Sequence, residues 1–173
     1  LLGDTSFYIE SGGQVSDTGK LVSDPPGSWE VEVSEVRKPA AGVIVHVGRV
    51  VFGLPTVGDK AEARVDAQRR KATMRNHTAT HLLHAELRKV LSDQVRQAGS
   101  LVAPDRLRFD FNYPSAITHD QLRRIEKGVN DAILGEYDLN ITVKPLEKAI
   151  NEGAMALFGE KYGQEVRTIK IGD

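Results

Sequence analysis

His77 and His81 stand four residues apart, with Thr78, Ala79 and Thr80 between them. On an α-helix, residues at that spacing lie one above the other, so both imidazoles can reach a single metal ion. Neutral imidazole suits Zn²⁺, at about 2.0–2.1 Å per bond. His84 lies on the same stripe, but at 1.5 Å rise per residue it sits roughly 10.5 Å along the axis from His77. Three histidines spread in this way do not close on one tetrahedral ion, so His84 reads as a residue that packs beside the ligands or supports them. Two nitrogens are half a site, because structural zinc takes four protein ligands and catalytic zinc usually three plus water. The chain has no cysteine, which leaves nitrogen and oxygen as the only donors it can add. His46 and His119 sit in no motif, and no acidic residue stands out as a further ligand. A zinc protease would carry Glu directly after the first histidine as its general base, and this chain has Thr78 there. That argues against a protease and leaves the water-activating group unidentified.

The elements that must position these residues change character along the chain. Up to Val65 the sequence reads as short strands with turns between them: β-prone Thr5 to Glu10, the Asp17-Thr18-Gly19 turn, and strands at Lys20 to Ser23, Trp29 to Val36, Val43 to Val51 and Ala61 to Val65. Trp29 to Val36 alternates apolar and polar residues, the period of a half-buried strand. A further turn falls at Pro55 to Asp59. Short strands at even spacing favour a small antiparallel barrel. From Asp66 to about Leu91 there is neither Gly nor Pro, which predicts a long helix. Val95 to Val102 and Leu107 to Phe111 then flank a hairpin turn at Ala103 to Arg106. A second helix is expected from Thr118, where Gln121 completes a capping box, to about Gly135. Asn140 to Val143 is a strand stopped by Pro145, Leu146 to Glu152 a short helix, and Val166 to Ile171 a last strand. The fold class is thus α+β: residues 1–65 form a small barrel, and residues 66–173 an α/β core with helices on an antiparallel or mixed sheet.

Composition narrows the function classes. The 173 residues are 40% hydrophobic and 27% charged, ordinary for a soluble globular protein. No run approaches the roughly 20 apolar residues of a membrane-spanning helix. The start, Leu1-Leu2-Gly3-Asp4, lacks both an initiator methionine and a signal-peptide pattern, so an excised or internal piece is expected. The net charge of −1 gives no sign of nucleic acid. Locally, Arg64, Arg69, Arg70, Lys71 and Arg75 precede the histidines, and Arg106, Arg108, Arg123, Arg124 and Lys127 follow them. Such clusters either meet phosphates or form a solvated face with the interleaved acids.

Five blocks point to a family. Phe7 to Gln14 (FYIESGGQ), His77 to His84 (HTATHLLH), Gln97 to Val102 (QAGSLV), Arg106 to Phe111 (RLRFDF) and Gly153 to Gly163 (GAMALFGEKYG) resemble the editing region of bacterial alanyl-tRNA synthetases, in that family's order and spacing. The resemblance implies a β-barrel followed by an editing core, and hydrolysis of serine or glycine wrongly esterified to alanine tRNA, whose acceptor end is the partner. It implies that His77 and His81 are two of four zinc ligands, the other two being a Cys and a His of a later Cys-Gly-Gly-Thr-His segment beyond Asp173. Zinc would either polarise the ester carbonyl and activate water, or position the terminal adenosine. Thr80, Gln97 and Ser100 match residues lining the amino-acid pocket, and Gly12, Gly13 and Gln14 a barrel-edge motif approaching it. ATP and Mg²⁺ belong to the parent's catalytic domain, and the compartment implied is the cytoplasm. Two alternatives stand beside this reading: a free-standing editing protein, and a tRNA-binding fragment that is inactive without the remaining zinc ligands.

Overall fold

A computed structural model of the chain describes residues 2–154 and 162–172. Its elements run β1 (Gly19–Ser23), β2 (Glu30–Ala40), β3 (Val43–Phe52), β4 (Ala61–Val65), α1 (Ala67–Val90), β5 (Arg96–Val102), β6 (Leu107–Asn112), α2 (His119–Leu134), β7 (Leu139–Pro145), α3 (Leu146–Asn151) and β8 (Glu165–Ile171). The class is α+β. The chain divides into two compact units, Leu1–His77 with Leu101–Arg108, and Thr78–Ser100 with Phe109–Asp173. Part of the Gly153-to-Gly163 block, residues 155–161, lies outside the described residues.

In the first unit four antiparallel strands pair in the order β3-β2-β1-β4. The expected barrel is not closed: β3 and β4 are the two edges and do not pair with each other among the described residues. Closure takes more strands, since about eight give an interior just wide enough for side chains to fill. The apolar face is covered another way. Residues 5–10, expected as a strand, are irregular and drive Phe7 into a cluster with Leu21, Trp29, Val33 and Val36. Burying such a ring stabilises by about 1.5–3 kcal/mol, which a paired surface strand would not supply. From Trp29, just before β2, the period-two pattern turns Trp29, Val31 and Val33 inward. A register shift between Val33 and Glu35 resets the alternation, so that Val36 is buried and Glu35 is not. The Val36 N–H donates to the Ser16 hydroxyl at 3.1 Å, giving β2 a partner beyond its last pair with β1 at Val33.

The turn at 55–59 forms as expected. Asp59 accepts from the Thr56 N–H at 2.9 Å, the Thr56 hydroxyl at 2.8 Å and the Trp29 indole at 2.8 Å. These donors, the Thr56 backbone first, hold its carboxyl below the usual range. Asp17, read in the sequence as a turn residue, is instead 3% exposed. Arg70 of α1 donates its Nε to both carboxylate oxygens at 2.8 Å and its Nη2 to Oδ2, and the Tyr8 N–H reaches Oδ2 at 2.6 Å. The same Nη2 also donates to the Ser6 carbonyl at 2.9 Å. The bonded carboxylate pushes the Arg70 pKa up.

In the second unit, Leu87 of α1, Val95 and Ile125 of α2 form the buried core, with Leu83, Phe109, Phe111 and Tyr113 packed against it. Helix α2 begins at the capping box read from the sequence: the Gln121 N–H donates to Thr118 Oγ1, and the Thr118 N–H to Gln121 Oε1. Gly135 caps its C-terminus. The single sheet expected here is present as ribbons, β5 with β6 and β7 with β8. The second is antiparallel from Leu139↔Ile171 to Pro145↔Glu165, and its Thr142 and Thr168 hydroxyls bond across it at 2.9 Å. A two-stranded ribbon is marginal alone, and α3 packs on this one. No described helix is long and apolar enough to cross a membrane.

Two predictions follow from the buried charges and rings. Arg70→Ala strands the Asp17 charge in the interior and should cost about 3–5 kcal/mol. Asp17→Asn leaves an arginine that still reaches water and should cost less; urea denaturation giving the opposite order would refute the assignment. His46 and His84 both have pKa values below the usual 6.5, burial being the leading cause. The unfolded chain therefore takes up protons first, and stability should be full above about pH 6.5 and fall as pH drops toward the depressed folded values. Melting curves between pH 7 and 5.5 should show this fall, and His84→Leu should lessen it.

Candidate functional site

Helix α1 turns a polar face inward. Its first turn is capped by Asp66, whose Oδ1 accepts the Arg69 N–H at 2.9 Å. The residues buried along it are Thr73, Thr80, His84 and Leu87, at the spacing of a single stripe. A helix packed into a core normally presents apolar side chains there. Thr73 is satisfied locally, its hydroxyl donating to the Arg69 carbonyl at 3.0 Å. His84 packs: its ring lies 5.0 Å from that of Phe109, and its Nε2 lies 3.5 Å from the Val95 carbonyl. That settles the sequence alternative for His84 in favour of packing. His77 and His81 are half-buried and one turn apart on the edge of the same stripe.

His77 is held by a frame from its own unit. Gly12 and Gly13 have φ of 59° and 80°, and Ser11 and Gln14 exchange N–H···O bonds of 3.3 and 2.9 Å across them. This is a two-residue primed hairpin turn, which needs positive φ at both central positions and so takes Gly-Gly. The turn abuts the end of β5: the Val102 N–H donates to the Gly13 carbonyl at 2.7 Å, and the Val15 N–H to the Val102 carbonyl at 3.0 Å. Gln14, 5% exposed, is thereby stapled on both sides, and its Oε1 lies 2.6 Å from His77 Nδ1. On α1 itself the Asn76 amide donates to the Ala103 carbonyl at 2.7 Å. The sequence reading placed Gln14 with Gly12 and Gly13 near a pocket; the contact the structure gives its side chain is His77.

The other predicted site residues belong to the second unit. Thr80 is buried on α1, while His81, Gln97 and Ser100 are half-buried. Gln97 and Ser100 are three apart on β5, and strand alternation directs such a pair to opposite faces. Between them Gly99 runs so close to Asp110 of β6 that a Cβ would lie 2.6 Å from its carboxylate oxygen. Asp17, Asn76 and Asp110 were not singled out from the sequence. Asn76 had a local signal, an amide next to a motif histidine, whereas Arg70, the partner of Asp17, lies 53 positions along the chain.

His77 and His81 lie one turn apart on α1 and are both metal-ligating residue types. Among the described residues no group of three His, Cys, Asp or Glu is placed to hold a metal, so these residues do not complete a metal site. The basic clusters are largely spent on structure. Arg70 pairs with Asp17, Arg64 with Glu62, Arg106 with Asp105, Arg123 with Asp120 and Lys127 with Asp131, while Arg69 donates to the Ser16 carbonyl at 2.7 Å. Lys71 and Arg75, one turn apart on α1, are exposed.

The glycine turn gives a direct test. Gly13→Ala puts a side chain at positive φ, at a cost of about 1–2 kcal/mol. A loss below about 0.5 kcal/mol in urea denaturation, the range of an ordinary surface change, would contradict the turn geometry.

Comparison with known proteins shows what the chain is similar to. A family model for tRNA synthetases class II (A) matches residues 1–69. The alanine–tRNA ligase of Desulforamulus reducens is 50% identical over 169 residues, covering 98% of this chain and 19% of the ligase. That of Fervidobacterium nodosum is 50% identical over all 173 residues, 20% of its length. That of Thermus thermophilus is 51% identical over 171 residues, covering 99% of this chain and 19% of the ligase. The chain spans about a fifth of the length of the relatives it matches, and with half its residues identical to theirs from end to end it belongs to the alanine–tRNA ligase family.

Proposed function

We propose that the chain is the part of an alanine–tRNA ligase that edits, hydrolysing Ser-tRNA(Ala) or Gly-tRNA(Ala). The observation that carries this is the polar inner face of α1, where Thr80 and His84 are buried and His77 and His81 flank them. Thr73 and His84 serve the helix itself, the one bonded to the Arg69 carbonyl and the other packed on Phe109. Thr80, His77 and His81, in contrast, are residue types that a site for a polar substrate would present. In the reaction water adds to the ester carbonyl, the acyl C–O bond breaks, the amino acid leaves as its carboxylic acid, and the terminal ribose regains its hydroxyl. Thr80, with either Gln97 or Ser100 from the two faces of β5, offers hydroxyl or amide groups to a serine side chain. A site built to hydrogen-bond a hydroxyl rejects an analogue lacking it far more sharply than an apolar pocket rejects an added one.

His77 and His81 are the residues here that would hold zinc, which when bound supplies positive charge for polarising the carbonyl or seating the terminal adenosine. The exposed Lys71 and Arg75 are suited to phosphates of the acceptor end. On this reading the ATP- and Mg²⁺-dependent attachment of alanine is the work of another part of a cytoplasmic ligase.

The donor count among the described residues favours a second reading for the chain in isolation, a tRNA-binding segment without hydrolytic activity. Metal analysis separates the two: the isolated chain should hold well under one zinc per molecule, and stoichiometric zinc would mean that other ligands complete the site. In the ligase carrying this segment, His81→Ala should slow deacylation of Ser-tRNA(Ala) at least tenfold. Undiminished deacylation would remove His81 from the mechanism.

A further inference from the structure

The contact between Gln14 and His77 has a chemical consequence that follows from which atoms meet. An amide carbonyl oxygen can only accept, so a ring nitrogen 2.6 Å from Gln14 Oε1 must carry the hydrogen. That nitrogen is Nδ1. In the neutral ring the lone pair then lies on Nε2, the atom a substrate proton or a metal ion would take. We propose that Gln14 is a positioning residue, fixing His77 in its Nδ1–H form with Nε2 as the working atom. This rests on the reading of His77 as a site residue.

The frame around Gln14 is what makes it suited to that task. Its backbone is bonded to Ser11 through both N–H and C=O, and its neighbours Gly13 and Val15 are bonded to Val102, which is 1% exposed. Asn76, the residue before His77, is bonded to Ala103, the residue after Val102. Acceptor and ring are therefore fixed to the same stretch of backbone, one through the turn and the other through the helix. A surface glutamine would lose rotamer freedom on forming one hydrogen bond. Gln14 is already buried, so little freedom remains to be lost and the ring orientation is held.

The test reads the ring itself. Side-chain ¹H–¹⁵N correlation spectra of the chain should show His77 protonated at Nδ1 and bare at Nε2. Gln14→Leu, which removes the acceptor at similar volume, should move the proton to Nε2 in part or in full. Gln14→Glu, which keeps an acceptor at the same reach, should restore the Nδ1–H form. Zinc retention by the ligase under chelator challenge should fall about 10- to 100-fold in Gln14→Leu and recover in Gln14→Glu. A tie that is only structural would lower the melting temperature of Gln14→Leu and leave the proton on Nδ1, and that result overturns the proposal. So does a wild-type spectrum with the proton on Nε2, or zinc retention indifferent to Gln14→Leu. If the proton follows Gln14 but the ligase fails to deacylate Ser-tRNA(Ala), the positioning role stands and the editing reading falls; intact deacylation with a proton indifferent to Gln14 gives the reverse.

Discussion

The buried ion pair between Asp17 and Arg70 is the constraint on which the first unit depends. A carboxylate that is 3% exposed is tolerable only when paired and fully hydrogen-bonded. Here the guanidinium and the Tyr8 N–H satisfy it. The same guanidinium takes the Ser6 carbonyl, so one side chain of α1 gathers the segment on both sides of Phe7. That segment has no ladder of its own. Tied in this way, it delivers Phe7 to the open face of the sheet, and the sheet need not curl into a barrel to find cover. The pair also fixes where Gln14 emerges, three residues before Asp17, and so the side from which the carbonyl approaches His77.

Helix α1 shows what this rigidity serves. Its inner stripe of threonine and histidine gives up apolar burial that a packed helix would ordinarily gain. The loss is tolerable because α1 is anchored at both ends by other means. Near its start it has the Asp66 cap, the Asp17 pair and the Asn76 bond; near its end Leu87 packs with Val95 and Ile125. The middle, from His77 to His84, is thus released from the work of holding the fold. Helix α2 offers the contrast, with a capping box, a buried Ile125 and acids paired to its exposed cations. Local preference and tertiary role agree along α2 and conflict only along the middle of α1, where a site would be expected to lie.

Most of this fold was legible because most of it is set locally. The α2 cap needs Thr118 and Gln121 alone, and the turn at 55–59 needs Thr56 and Asp59. Strand periodicity placed Trp29 and Val33 inward without any knowledge of their partners. The failures share one cause: residues 5–10 are β-prone by composition, yet their place is decided by an arginine 53 positions beyond Asp17. The barrel expectation fell with them, since the pattern of short strands does not say what covers the open face. Gln14 reads in the sequence as part of a barrel-edge motif, and its contact with His77, 63 residues away, leaves no trace in local sequence.

On the proposed reading, the polar face also decides which error the site corrects by recognition. The product to be spared is Ala-tRNA(Ala), and serine differs from alanine by one hydroxyl. An apolar pocket distinguishes two such substrates weakly, by about a hundredfold, because it pays little to admit an added hydroxyl. A site built to hydrogen-bond the serine hydroxyl, for instance through Thr80, reverses the relation, and discrimination against a substrate lacking that hydroxyl can reach about 10⁴–10⁵. Glycine has no hydroxyl to offer, so this mechanism cannot separate it from alanine. Hydrolysis of Gly-tRNA(Ala) with alanine spared would then have to exploit the missing methyl group, through close approach of a wall that a Cβ would strike. Serine and glycine editing thus place different demands on one site, and substitutions at Thr80 should impair the first more than the second.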